Sequence, residues 1–344
     1  MESLHRKRAP YGRQAKSAER SDLDSLALRH RGTYYDQPVV KPAQYGQLIA
    51  SYLFLGGIAG ASQIIATIAD WTGDGRNRFI TRAGRYLSLG SILAGPLFLI
   101  ADLRTPKRWY NMLRIFRRTS PMSIGSWTLT AFGGLSGLTA MLQFLADRLR
   151  RPIYRRAARV IALPTTAAGA VIATYTGTLL GSTSTPLWAR ASRLLPMLFG
   201  ISSAATSTAA LTLAAHTSDA SQTTARRLEK LAAITAGMEL LASAALDRHW
   251  ERAKLASPLK KPPAAVAYRA GYQGLGIAVP LLVHGVSVAT GRRSRRWSIF
   301  AAAATLIGGY FLRSVIVQAG KDSARRPEDY FQITGGAEND AIGR

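Results

Sequence analysis

The stretch Tyr45–Ala69, YGQLIASYLFLGGIAGASQIIATIA, decides the fold. It contains no charged side chain, and a helix needs about 20 mostly apolar residues to cross the hydrocarbon core of a bilayer. Seven further stretches read the same way: Tyr86–Ala101, Ser123–Ala146, Val160–Leu180, Leu194–Ala215, Leu231–Leu246, Gly271–Ala289 and Ser298–Gln318. The second and sixth are short, and are expected to extend into their polar flanks or to cross where the bilayer thins. Lipid offers no partner for a backbone N–H or C=O, so helices are the open-ended way to span it. A β-barrel would show alternating segments of about ten residues, and these runs do not alternate. The expected fold class is an all-α integral membrane protein with eight transmembrane helices.

Composition points the same way. Of 344 residues, 47% are hydrophobic and 19% charged, and the 45 Lys+Arg against 19 Asp+Glu cluster between the greasy runs. Mean hydropathy is near zero, at +0.03, because it averages two populations. Length alone would allow about two soluble domains, but this patterning argues against them. With no Cys, the chain has no disulfide scaffold, no iron–sulfur cluster of its own and no thiolate zinc site. Three segments follow: a polar basic arm over 1–44, expected to be largely disordered, a membrane domain over 45–325, and a polar tail over 326–344. The arm carries nine Lys+Arg and no apolar core, so it is not a secretory signal. A net charge of +26 in a multispan protein is expected to set topology or meet lipid headgroups rather than nucleic acid. The positive-inside count leans toward cytoplasmic termini only because of the arm.

The spans are rich in Gly, Ala, Ser and Thr, as in ISSAATSTAALTLAA (201–215). Small residues let helix backbones approach closely. The GxxxG pairs Gly56/Gly60, Gly133/Gly137 and Gly177/Gly181 are expected to pack within the bundle rather than between copies.

Ionisable residues inside a membrane are costly and are functional candidates by default. Glu239 stands mid-span in AGMELLAS, His284 in VPLLVHGVSV and Arg313 in GGYFLRSVIV. Asp70, Asp102 and Asp147 close the first three spans, and interfacial placement accounts for Asp70 and Asp147. A lone carboxyl in hydrocarbon is neutral or paired, which predicts a Glu239–Arg313 pair, either a proton relay or a lock between helices. Of the five His, His284 alone lies well inside a span. A bis-His haem needs facing pairs, so no haem is expected.

Five motifs in order carry a resemblance: YLFLGGIAGAS (52–62), GPLFLIADLRTPKRWYNML (95–113), SPMSIGSW (120–127), YTGTLLGSTSTPLW (175–188) with LPMLFGISSA (195–204), and RSVIVQAGKDSA (313–324). Together they resemble the NrfD/polysulfide reductase membrane-subunit family. The resemblance implies two four-helix bundles in the bacterial inner (cytoplasmic) membrane. It also implies a quinone-reactive anchor that binds menaquinone or ubiquinone near one face. Such an anchor exchanges electrons with an extrinsic ferredoxin-like [4Fe–4S] subunit, itself joined to a molybdopterin or cytochrome c catalytic subunit. By the family match, Tyr52 and Tyr175 are the candidates to hold the quinone head; Asp102, which stands in the family signature, and Glu239, the lone mid-span carboxyl, are the candidates for proton transfer. Some relatives carry His at the position of Tyr52 and Asn where Ile49 stands. Tyr52 then either bonds the ring or packs beneath the following loop, and Asp102 either takes a proton or ties down its connector. The competing readings are a transporter or proton-conducting subunit using Glu239, His284 and Arg313, and a purely structural anchor.

Overall fold

The computed structural model describes residues 40–331, apart from 74, 76, 219, 292 and 293. Most of the expected arm and tail lies outside them. Among the described residues the chain is helical and has no strand. In chain order the helices are α1 (Gln47–Thr72), α2 (Arg78–Ala101), α3 (Pro121–Leu149), α4 (Pro152–Gly181), the short α5 (Pro186–Arg190), α6 (Leu194–Thr217), α7 (Gln222–Arg252), α8 (Ala264–Thr290) and α9 (Arg295–Ala324).

Seven of these, all but α5 and α7, are long and apolar enough to cross a membrane. The expected count was eight, and α7 is the one expected span that length and composition alone do not qualify. The sixth span forms α7, which is 31 residues long, but Lys230 and Asp247 bracket the apolar stretch closely and Glu239 interrupts it. Helix α2 starts at Arg78 rather than Tyr86, so the short second span does extend into its polar flank. The outward faces are apolar, with Leu97, Phe144, Val160, Leu241 and Leu282 all exposed. A belt of that kind belongs in lipid.

Helix α1 packs on α2 and α4, and α3 on α2 and α4, which closes a ring of neighbours. Helices α6, α7, α8 and α9 close a second ring in the same way. Contacts of α1 with α6 and α9, and of α4 with α6, join the two rings. Small residues set these crossings. A methyl on Gly60 would come within 2.2 Å of the Gly169 carbonyl oxygen, and one on Gly308 within 2.1 Å of Gly276 Cα. Of the GxxxG pairs, Gly177 and Gly181 press on the chain at 192–196, whereas Gly133 has open space around it. Packing inside the protein therefore explains Gly60 and the third pair, not Gly133.

Helix α8 departs from α geometry. Its Ala267–Ala278 portion has the wide turns of a π-helix. The buried residues Tyr268, Tyr272, Gly276, Pro280 and His284 recur every fourth position. In a regular α-helix that spacing drifts by about 40° per step. The wider turns hold the stripe in line against α7 and α9.

Candidate functional site

The end at which α1 begins gathers most of the sequence motifs. Ser120 caps α3, accepting from the Ser123 N–H at 3.3 Å, with Pro121 in the first turn. Ser123 Oγ in turn donates to the Ile115 carbonyl (3.2 Å) and accepts from the Arg117 N–H (3.0 Å), which folds the basic connector back onto the helix start. The connector's Pro106–Leu113 portion buries none of its residues, and Trp109 and Tyr110 are exposed on it, as interfacial aromatics are. The short α5 plugs the same end. Trp188 donates to the Ile316 carbonyl (2.8 Å), Trp250 to the Leu187 carbonyl (3.0 Å), and Ser323 Oγ accepts from the Leu187 N–H (3.2 Å).

Tyr52 and Tyr175 meet here. Both are buried, at 5% and 7% exposure, and Tyr52 and Tyr45 lie close enough to act electrostatically on the Tyr175 hydroxyl. Their hydroxyls differ. Tyr175 donates to the Pro121 carbonyl at 2.6 Å, passing over Gly125, where any side chain would collide with its ring. Tyr52 makes no hydrogen bond among the described residues and packs beside Gly95. Tyr45 stacks on Trp188, with ring centroids 6.0 Å apart.

Asp102 sits beside the first turn of α1, where a methyl on Gly46 would stand 3.4 Å from its Oδ1. Gly46 supplies no side-chain cap, so the carboxylate faces the positive end of the α1 dipole. Burial raises the Asp102 carboxyl above the ordinary aspartate range, and Lys321 of α9 pulls the other way. Arg104 does not pair with it but donates to Gln44 at 3.3 Å.

A second polar cluster lies halfway along α6–α9. Arg313 is fully buried. Its guanidinium donates to Ser202 Oγ (2.7 Å), Ser203 Oγ (3.0 Å) and the carbonyls of Gly309 (2.9 Å) and Phe199 (3.3 Å). The Phe54 and Phe199 rings flank it at 5.9 and 5.3 Å. Glu239 lies beside Ser202, Tyr272 and the charge of Arg313. The direct Glu239–Arg313 pair expected from the sequence does not form; Ser202 stands between the two. Beyond Tyr272 and Ser243, Gln273 donates to Ser243 Oγ (3.2 Å) and to Asp247 (2.6 Å), and Tyr268 donates to Asp247 (2.7 Å). Polar groups thus continue from Glu239 toward the Tyr52 end. His284 stands apart, three turns further along α8, on the order of 15 Å away, where Glu229 is its charged neighbour.

At the far end, Asp70 binds both the buried Arg85 (2.9 Å) and Arg159 (3.1 Å), while Asp147 binds Arg78 and Arg82, both at 3.2 Å. These aspartates staple helices rather than merely mark an interface, and Arg85 is a second buried cation beside Arg313. Sequence reading missed it because it fell just outside the assigned span. It missed Ser202 and Ser203 because a run of small residues reads as packing, although their hydroxyls were a visible signal. Among the described residues no cluster of three or more His, Asp and Glu could hold a metal ion.

The family model described as "Polysulphide reductase, NrfD" matches residues 39–322. No curated protein matches the chain.

Proposed function

The chain belongs to the NrfD polysulphide reductase family, and from that premise we propose that it is the quinone-interacting membrane subunit of a multi-subunit oxidoreductase in the bacterial inner membrane. In this reading α7 crosses the membrane as an eighth span, its charged ends at the two surfaces, and the two rings of helices act as two four-helix bundles. With no Cys in the chain to ligate a cluster, this reading has electrons pass between a quinone at the α1 start and an extrinsic [4Fe–4S] subunit, which is linked to a molybdopterin or cytochrome c catalytic subunit. Arg114, Arg117 and Arg118 on the neighbouring connector suit an acidic docking face.

One observation carries the quinone assignment. Tyr52 is a buried tyrosine whose hydroxyl has no partner among the described residues, set beside Tyr175 at a membrane end. Such a group is ready to donate to a quinone carbonyl while its ring packs on the quinone. Tyr175, held by Pro121, shapes the wall instead. Quinone is the substrate here and supplies a two-electron, two-proton couple. Glu239 and the polar groups leading from it toward Asp247 are suited to hold a proton in transit, and Asp102 to orient the start of α1.

The test is Tyr52→Phe in the assembled complex. Quinol-linked turnover is expected to fall about tenfold, the worth of one good hydrogen bond, with the subunit still present at wild-type level. Wild-type turnover at every quinol concentration would refute the assignment.

A further inference from the structure

We infer that the hollow enclosed by α7, α8 and α9 at the end away from Tyr52 is a second binding site for a neutral, lipid-soluble ring ligand of the quinol class, held by His284. The choice of ligand class rests on the quinone reading; the existence of the site does not. The hollow measures about 340 Å³, room for one small ligand head. Leu282 and Val286 form part of its wall and are 67% and 58% exposed on the outer surface of α8. The hollow therefore opens toward the apolar surroundings of the helices rather than into the protein core.

His284 lines it and is 2% exposed, yet its Nδ1 has no hydrogen-bond partner. An unpaired ring nitrogen at that depth is costly, and a ligand hydroxyl or carbonyl would satisfy it. With the ring proton on Nε2, Nδ1 accepts from a quinol O–H; with the proton on Nδ1, it donates to a quinone C=O. Both ligand forms are thus served by one side chain.

The neighbouring groups suit a flat ring head. Glu229, buried beside His284, accepts from Ser287 at 3.1 Å. Trp297, exposed at the rim, offers a flat face for a ring. Glu229 also borders a second hollow of about 470 Å³, lined by His216 and Arg295 where α6 and α7 join. One carboxylate therefore divides an apolar recess from a polar one. That arrangement suits a ligand whose tail lies in lipid and whose head is near water.

The test uses the full-length protein in phosphatidylcholine nanodiscs, with decylbenzoquinol for equilibrium binding and a photoreactive short-chain quinone for peptide mapping. Wild type is expected to bind a second equivalent and to be labelled on α8 or α9 as well as near Tyr52. His284→Phe and Leu282→Trp, which block the recess from inside and from its lipid side, should each weaken the second equivalent about tenfold or more and abolish the α8–α9 label. Tyr52→Phe should leave that label intact. Unchanged binding in both blocking variants, or labelling confined to the Tyr52 end, overturns the inference while the quinone assignment stands. Labelling at α8–α9 without any near Tyr52 upholds the inference and defeats that assignment. Labelling of α8–α9 by photoreactive phosphatidylcholine that excess decylbenzoquinol fails to displace makes the recess a lipid seat and overturns the inference.

Discussion

The first four helices and the last four hold their charges at different depths. Among α1–α4, Asp70, Arg85, Arg159, Asp147, Arg78 and Arg82 gather at one end, where the Arg78, Arg82 and Arg159 side chains are about half exposed. Among α6–α9, Glu239 and Arg313 lie near the middle of their helices, each at most 3% exposed. Water at a membrane edge hydrates and screens a charge, so an ion pair there is cheap and contributes little. Halfway across, each polar atom must be met by protein. That is why Arg313 engages two hydroxyls and two carbonyls while Arg78 makes one exposed contact. The same contrast separates a stapling role from a working one: apart from Arg85, which is 1% exposed, the cations that fasten helices sit where charge is cheap, and charge kept at depth calls for a purpose.

Removing the deep cation should have the largest effect. Arg313→Leu strips Ser202 and Ser203 of their partner and Glu239 of its compensating charge, and is expected to cost about 3–5 kcal/mol, read as loss of monodisperse protein and a lower midpoint of thermal unfolding in detergent. The double variant Arg313→Leu with Glu239→Leu should recover a good part of that loss, since no lone charge remains. Equal damage in single and double variants would break the link through Ser202.

Glu239→Gln comes next and sharpens the comparison by separating role from stability. It keeps the shape and should leave the unfolding midpoint nearly unchanged, while quinol-linked turnover falls about a hundredfold if the carboxyl carries a proton. Full turnover would reduce the deep cluster to a lock. Arg85→Leu tests the other half. Asp70 retains Arg159 and lies near the membrane edge, so the expected loss is smaller, about 1–3 kcal/mol. A loss as large as that of Arg313→Leu would erase the distinction of depth. Asp147→Asn should have the least effect, below about 1 kcal/mol and vanishing in high salt, as followed by thermal unfolding at two ionic strengths.

The motifs that carry the family resemblance proved to be junctions. Gly57 lies against Ser203 and Arg313, Tyr175 holds Pro121, Gly320 lies under the Trp188 ring, and Ser323 ties α5 to α9. Each is a pair of residues far apart in the chain, which explains why a motif read singly says so little. Glu239 and Arg313 stood out in the sequence because charge in a greasy run is conspicuous. Tyr272, Ser202 and Ser243 did not, since a hydroxyl in such a run is ordinary until a charge is found beside it.

By itself, the sequence determined that the chain is a bundle of apolar helices, where nearly all of them lie, and which few side chains are costly to bury. These follow from local quantities: length, hydropathy and charge within one segment. Only the tertiary structure decided that Ser202 separates Glu239 from Arg313, that Arg85 is buried, that Tyr175 has already spent its hydroxyl while Tyr52 has not, and that wide turns align the buried face of α8. Those outcomes depend on which helix faces which and at what height. In a bundle whose helices are all similarly greasy, hydropathy is nearly indifferent to rotation and register. Close glycine contacts and buried hydrogen bonds between distant segments make that choice, and they exist only once the helices have met.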